Sequence, residues 1–108
     1  MNDSQTTVAE LRALMTRFVA ERRWQGFHTP KNLAMSLAIE AAELMEHFQW
    51  LTPEQSQAVA DDPVELAAVG EEMADVLCYL LSLANALDLD LASTTAAKMV
   101  KNAQKYPA

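Results

Sequence analysis

Val8, Leu11, Leu14, Met15, Phe18 and Val19 recur at steps of three and four, the period of a helix with one apolar stripe. Thr7-Val-Ala-Glu10 stands in front of them with the form of a capping box, so the pattern predicts a first helix from about Val8 to Arg23. Gly26, within Trp24-Gln-Gly-Phe-His-Thr29, breaks the pattern. Thr29 as N-cap and Pro30 at the first helical position restart it, predicting a second helix from roughly Pro30 to Trp50. Thr52-Pro53-Glu54-Gln55 opens a short polar helix to about Ala60, and Asp62-Pro63-Val64-Glu65 opens a long one to about Leu87. Asp90 can cap a last helix, which stops near Lys105 because Tyr106 precedes a proline. The elements predict an all-α fold, a bundle of four main helices plus a short connecting helix, in one domain over residues 1–108 without repeats or linkers.

Composition agrees with the pattern. A chain of 108 residues suits a single core, and with 51% hydrophobic residues but only two glycines it is poor in the material of tight turns. Cys78, the only cysteine, has no internal disulfide partner and lies in the apolar run VLCYLL, where it reads as a small core residue. No apolar run approaches a membrane-spanning length, and the polar start MNDSQTT lacks the features of a signal peptide, so a cytoplasmic protein without membrane partners is expected. The net charge of −7 argues against a partner that is polymeric nucleic acid. Its distribution is more informative: between Asn32 and Ala97 there are twelve acids and no lysine or arginine. Those acids are either solvated or gathered around something cationic.

At 100° per residue, Glu40 shares a stripe with Leu33, Leu37 and Leu44, and Glu43 lies at its edge, whereas Glu46 is further round towards solvent. On the long helix Glu72 shares a stripe with Val76, Tyr79 and Leu83, with Asp75 at the same edge. Two pairs of one kind result, Glu40-x-x-Glu43 and Glu72-x-x-Asp75. Four carboxylates bordering an apolar interface raise one another's pKa, and a divalent cation would relieve them. All-oxygen ligation suits Mg²⁺, or Mn²⁺ in its place, better than zinc. Solvated boundary glutamates are the alternative reading, which spacing alone leaves open. A di-iron site would need Glu-x-x-His on two helices; His47 is preceded three residues earlier by Leu44 and His28 by Gln25, so that motif is absent.

Lys98, Lys101 and Lys105, with Asn102 beside them, follow a three-then-four spacing on one face of the last helix. Acid on two helices and ammonium on another would suit a polyphosphate, although lysines near a helix C-terminus also serve the helix dipole. Trp24, Phe27, His28 and Trp50 bracket the second helix, where such rings can stack on a base or simply close a core. There is no G-x-x-x-x-G-K-[ST] loop, so any nucleotide site is not of the P-loop kind.

Taken together, "FVAERRWQGFHTPKNLAMSLAIEAAELMEHFQW", "EEMADVLCYLL" and "KMVKNAQKYP" resemble the MazG-like, all-α nucleoside triphosphate pyrophosphohydrolases, in particular their deoxycytidine triphosphate pyrophosphatase branch. The resemblance implies hydrolysis of a nucleoside triphosphate, dCTP or a related dNTP, between the α and β phosphates to the monophosphate and pyrophosphate, in nucleotide-pool house-cleaning. It implies that Glu40, Glu43, Glu72 and Asp75 hold Mg²⁺ and that Glu43 helps to take the proton of the attacking water. It places Trp24, His28, Trp50 and Tyr79 around base and sugar, and Lys31, Asn32, Lys98, Asn102, Lys105 and Tyr106 near the phosphates. Lys31 and Lys105 stand where relatives carry arginine, keeping the charge but not the bidentate fork. It further implies a homodimer or a dimer of dimers. A different class, a non-catalytic helical binding module or antitoxin-like partner protein, would use the same acids as a solvated face and the aromatics as a docking surface.

Overall fold

The computed structural model describes all residues from Met1 to Ala108 and contains only helices: α1 (Val8–Glu21), α2 (Pro30–Glu46), α3 (Pro53–Ala58), α4 (Pro63–Ala86) and α5 (Leu91–Lys105), with single 3₁₀ turns at Gln25–Phe27 and Val59–Asp61. Each predicted N-cap is made. Thr7 accepts from the Glu10 amide, Thr29 from Asn32, Asp62 from Val64 and Glu65, and Asp90 from Ser93. Thr52 and Gln55 close a reciprocal capping box at α3. These bonds satisfy amides that the first turn of a helix leaves without partners, which is why the chain restarts helix at each of these residues.

Helix ends differ from the pattern in two places. α2 stops at Glu46, not Trp50: His47 bonds to the carbonyls of both Leu44 and Met45, Phe48 to Met45 and Leu51 to Phe48, so the last turn tightens and unwinds before Thr52 becomes extended. α1 ends without help from Gly26, which has an ordinary φ. Instead Arg23 adopts a left-handed conformation (φ 56°), with Arg23 N–H bonded to Ala20 O and Trp24 N–H to Val19 O. That is a Schellman turn with arginine in the place usually given to glycine. α4 ends the same way, with Asp88 at φ 49° and Leu89 N–H bonded to Ala84 O.

α4 is the axis of the fold and makes its most extensive contact with α2, then with α1. Leu33 of α2, 2% exposed, and Val69, Leu81 and Ala84 of α4 form the buried centre together with Val59. α5 turns away at 102° to α4, touches the other helices only marginally and buries none of its residues. The radius of gyration is 16.3 Å, against about 13 Å for a globular chain of this length. The accessible surface is 8257 Å², against about 5,900 Å² for a monomer of this mass. Much of the excess is apolar: Leu66, Met73, Leu77, Leu80 and Leu87 form a second stripe along α4 that nothing in the chain covers. No single helix is long and apolar enough to cross a membrane.

Candidate functional site

α2 and α4 run antiparallel, as the meeting of Glu40 with Glu72 and of His47 with Glu65 requires. Leu33 is buried and Leu37 and Leu44 half-buried on the α2 side, with Val76, Tyr79 and Leu83 half-buried on the α4 side, so the apolar stripes of the two helices face each other. Glu40 and Glu72 share those stripes and are carried into the seam. Oxygen atoms of Glu40, Glu43 and Glu72 lie within 4.8 Å of one another. One oxygen each of Glu40 and Glu72 is fully buried with no hydrogen-bond partner.

The electrostatics follow from that placement. Burial, then the Glu43 carboxyl beside it and the charges of Glu43, Asp75 and Glu72, push Glu40 up to about 7. Glu72 is raised as well, first by burial and then by Glu43 and Asp75, and is partly relieved by His47. Glu40 and Glu72 therefore stand as orphaned acceptors in a seam where no lysine or arginine reaches them. This donor set fits a hard divalent cation, since only oxygen ligands are offered and the buried acceptors need a positive partner. Asp75 lies close enough to raise both neighbours but outside the tight group of three, exposed and part of the lining of an adjoining cavity.

That cavity, about 310 Å³ in volume, is lined by Trp24, His28, Asp75 and Tyr79, and also by Met15, Phe18, Val19, Cys78 and Ser82. The Schellman turn at Arg23 delivers Trp24 to its wall, where the indole meets Phe18 edge-on at 5.7 Å and lies over His28 at 6.5 Å with an interplanar angle of 24°. A second cavity of about 310 Å³ shares Met15, Val19, His28 and Ser82 with the first and continues towards Asn85. Cys78 is therefore a half-buried cavity residue rather than a core one, its thiol pKa raised by burial and then by Asp75. The contribution of α1 has no motif in the sequence; only its apolar period hints that Met15, Phe18 and Val19 face α4.

The remaining residues singled out in the sequence lie elsewhere. Trp50 is 85% exposed beyond the end of α2. Lys31 is exposed in the first turn of α2, and Asn32 donates to the Phe27 carbonyl at 3.2 Å, tying the aromatic loop to the helix. Lys98, Lys105 and Tyr106 are exposed on or just after α5, Asn102 is half-buried against Met99, and no α5 residue lines either cavity.

The sequence model of the MazG-like family matches residues 35–108, which include all three clustered carboxylates and Asp75. The chain belongs to the MazG-like family. This MazG-like chain is 41% identical to dCTP pyrophosphatase 1 of Bos taurus over 104 residues, 96% of its own length and 62% of that protein. It is likewise 41% identical to dCTP pyrophosphatase 1 of Homo sapiens over 104 residues, 96% of this chain and 61% of that one. The chain thus spans about three-fifths of the length of these curated relatives. The crystal structure of a pyrophosphatase from Archaeoglobus fulgidus superposes with a TM-score of 0.83 at 38% identity, covering 100% of this chain and 99% of that one.

Proposed function

We propose that this MazG-like chain is a Mg²⁺-dependent nucleoside triphosphate pyrophosphohydrolase that cleaves dCTP or a related dNTP between the α and β phosphates, releasing the monophosphate and pyrophosphate. The observation that carries this reading is the pair of buried, partnerless oxygens of Glu40 and Glu72, set beside Glu43 and opening through Asp75 into an aromatic cavity. The names of the curated relatives and of the archaeal pyrophosphatase support the same reaction class.

Glu40, Glu43 and Glu72 would hold the cation, with Asp75 able to join from the cavity side. When bound, it supplies positive charge that offsets the carboxylates and draws electron density from phosphate oxygens. Glu43, the exposed member of the three, would orient a water and accept its proton as that water attacks the α phosphorus. Trp24, stacked on His28, offers a flat apolar face to a base, and the half-buried Tyr79 lines the same cavity with Asp75.

A second copy of the chain completes this picture. The uncovered stripe along α4 has the seven-residue spacing of a helix-packing seam, and the excess surface of about 2,300 Å² per copy matches what obligate dimers bury. A homodimer or dimer of dimers would cover it and give the lysines of α5, with Asn102 and Tyr106, a route to the phosphates that a single copy lacks. Residues 1–108 then act as one domain, in the cytoplasm, on free nucleotides in the house-cleaning of the pool. Incubation of the purified protein with each dNTP and Mg²⁺, with an EDTA control and chromatography of the products, tests the reading. Metal-dependent monophosphate and pyrophosphate are expected. Diphosphate with inorganic phosphate would refute the bond assigned, and no turnover on any nucleotide would leave the helical binding module.

A further inference from the structure

His47 and Glu65 form a contact that gives the helix direction, and the charge of His47 partly relieves Glu72. His47, the C-cap of α2, donates from Nδ1 to Glu65 Oε1 of α4 at 2.9 Å, with the two side chains 25% and 40% exposed. Outside the carboxylate cluster itself, it is the side-chain hydrogen bond that joins α2 and its cap to α4. We propose that the His47–Glu65 bridge is a positioning pair, holding α2 and α4 in the register at which Glu40, Glu43 and Glu72 converge. The inference rests on the reading of those carboxylates as a cation site and adds what keeps them together.

The spacing carries the argument. His47 lies one turn beyond Glu43 and seven residues beyond Glu40, and Glu65 lies seven residues before Glu72. In antiparallel helices, fixing residue 47 opposite 65 sets 40 opposite 72. An axial slip of one turn displaces the helices by about 5.4 Å, more than the 4.8 Å that bounds the whole cluster. Apolar packing along the seam is attractive but not directional, so it resists such a slip less sharply than a hydrogen bond does. Like charge within the cluster works against this register, and the bridge opposes it one turn beyond Glu43. Both of its ends are also well sited: a ring N–H donor at the C-terminus of α2 and an acidic side chain in the first turn of α4 each complement a helix dipole.

The test uses the full chain in four forms, His47→Leu, Glu65→Leu, the double variant and His47→Gln, whose amide can still donate to Glu65. Mn²⁺ binding to nucleotide-free protein is read from loss of the free-ion EPR signal, alongside thermal unfolding of the metal-free protein. The expected result is Mn²⁺ binding about tenfold weaker in either leucine variant, no weaker in the double variant because the two act as one unit, and largely restored by glutamine. Leucine variants that unfold at lower temperature but bind Mn²⁺ as the wild type does would overturn the positioning role and leave the cation site standing. A wild-type protein that takes up no Mn²⁺ would overturn both.

Discussion

Glu40 gives the most quantitative consequence of the carboxylate cluster, because a proton and a metal ion compete for the same buried oxygen. With its pKa pushed to about 7 by burial and by Glu43, the side chain is protonated in much of the metal-free protein at neutral pH. Cation binding requires the ionised form, so apparent affinity scales with the ionised fraction, about 90% at pH 8, half at pH 7 and about a tenth at pH 6. Between pH 8 and pH 6 the affinity for Mg²⁺ should therefore fall about tenfold. About half a proton should be released per ion bound at pH 7, and the raised pKa of Glu72 steepens both effects. Isothermal titration with Mg²⁺ in two buffers of different ionisation enthalpy measures affinity and proton release together. Glu40→Gln removes this proton along with a ligand, so it should bind weakly at every pH with a shallower slope. Wild-type affinity that stays level from pH 6 to pH 8, with no proton released, would refute the reasoning.

Three further outcomes follow from the same geometry. A carboxylate raised in the fold binds more protons when folded than when unfolded, so metal-free protein should lose thermal stability as pH rises from about 4.5 to about 7, a trend that Glu40→Gln should flatten and that excess Mg²⁺ should oppose. Arg12→Ala should destabilise the fold by about 1–3 kcal/mol in urea unfolding, since the guanidinium donates to Asn85 at 2.9 Å and to the Leu89 carbonyl at 2.7 Å, fastening α1 to the end of α4. Trp24→Ala should weaken nucleotide binding by about 1–3 kcal/mol, seen as a raised KM with the metal requirement unchanged; an unaltered KM would remove the indole from the base-binding role.

Helix starts were legible in the sequence because capping is local: Thr7, Thr29, Thr52, Asp62 and Asp90 each reach an amide two or three residues ahead. Helix ends were less so. Phe48 and Trp50 continue the apolar look of α2 although the chain has already unwound at His47, and nothing in Arg23 announces a left-handed turn. The carboxylate cluster could be read because each pair lies within one helix at a spacing that fixes its face. The cavity beside it could not, since Met15, Phe18 and Val19 belong to a different helix whose orientation depends on tertiary packing, notably the Arg12 and Asn85 bonds. The standoff of α5 was equally hidden: its amphipathic period predicts a buried face but not whether that face lies within the same chain.

The central claim is attack at the α phosphorus beside the three clustered carboxylates, and isotope placement tests it most directly. Hydrolysis of dCTP in H₂¹⁸O with Mg²⁺ present, followed by mass spectrometry of both products, shows which phosphorus received the water. The account predicts ¹⁸O in the deoxycytidine monophosphate and none in the pyrophosphate. Label confined to the pyrophosphate would mean attack at the β phosphorus and would contradict it.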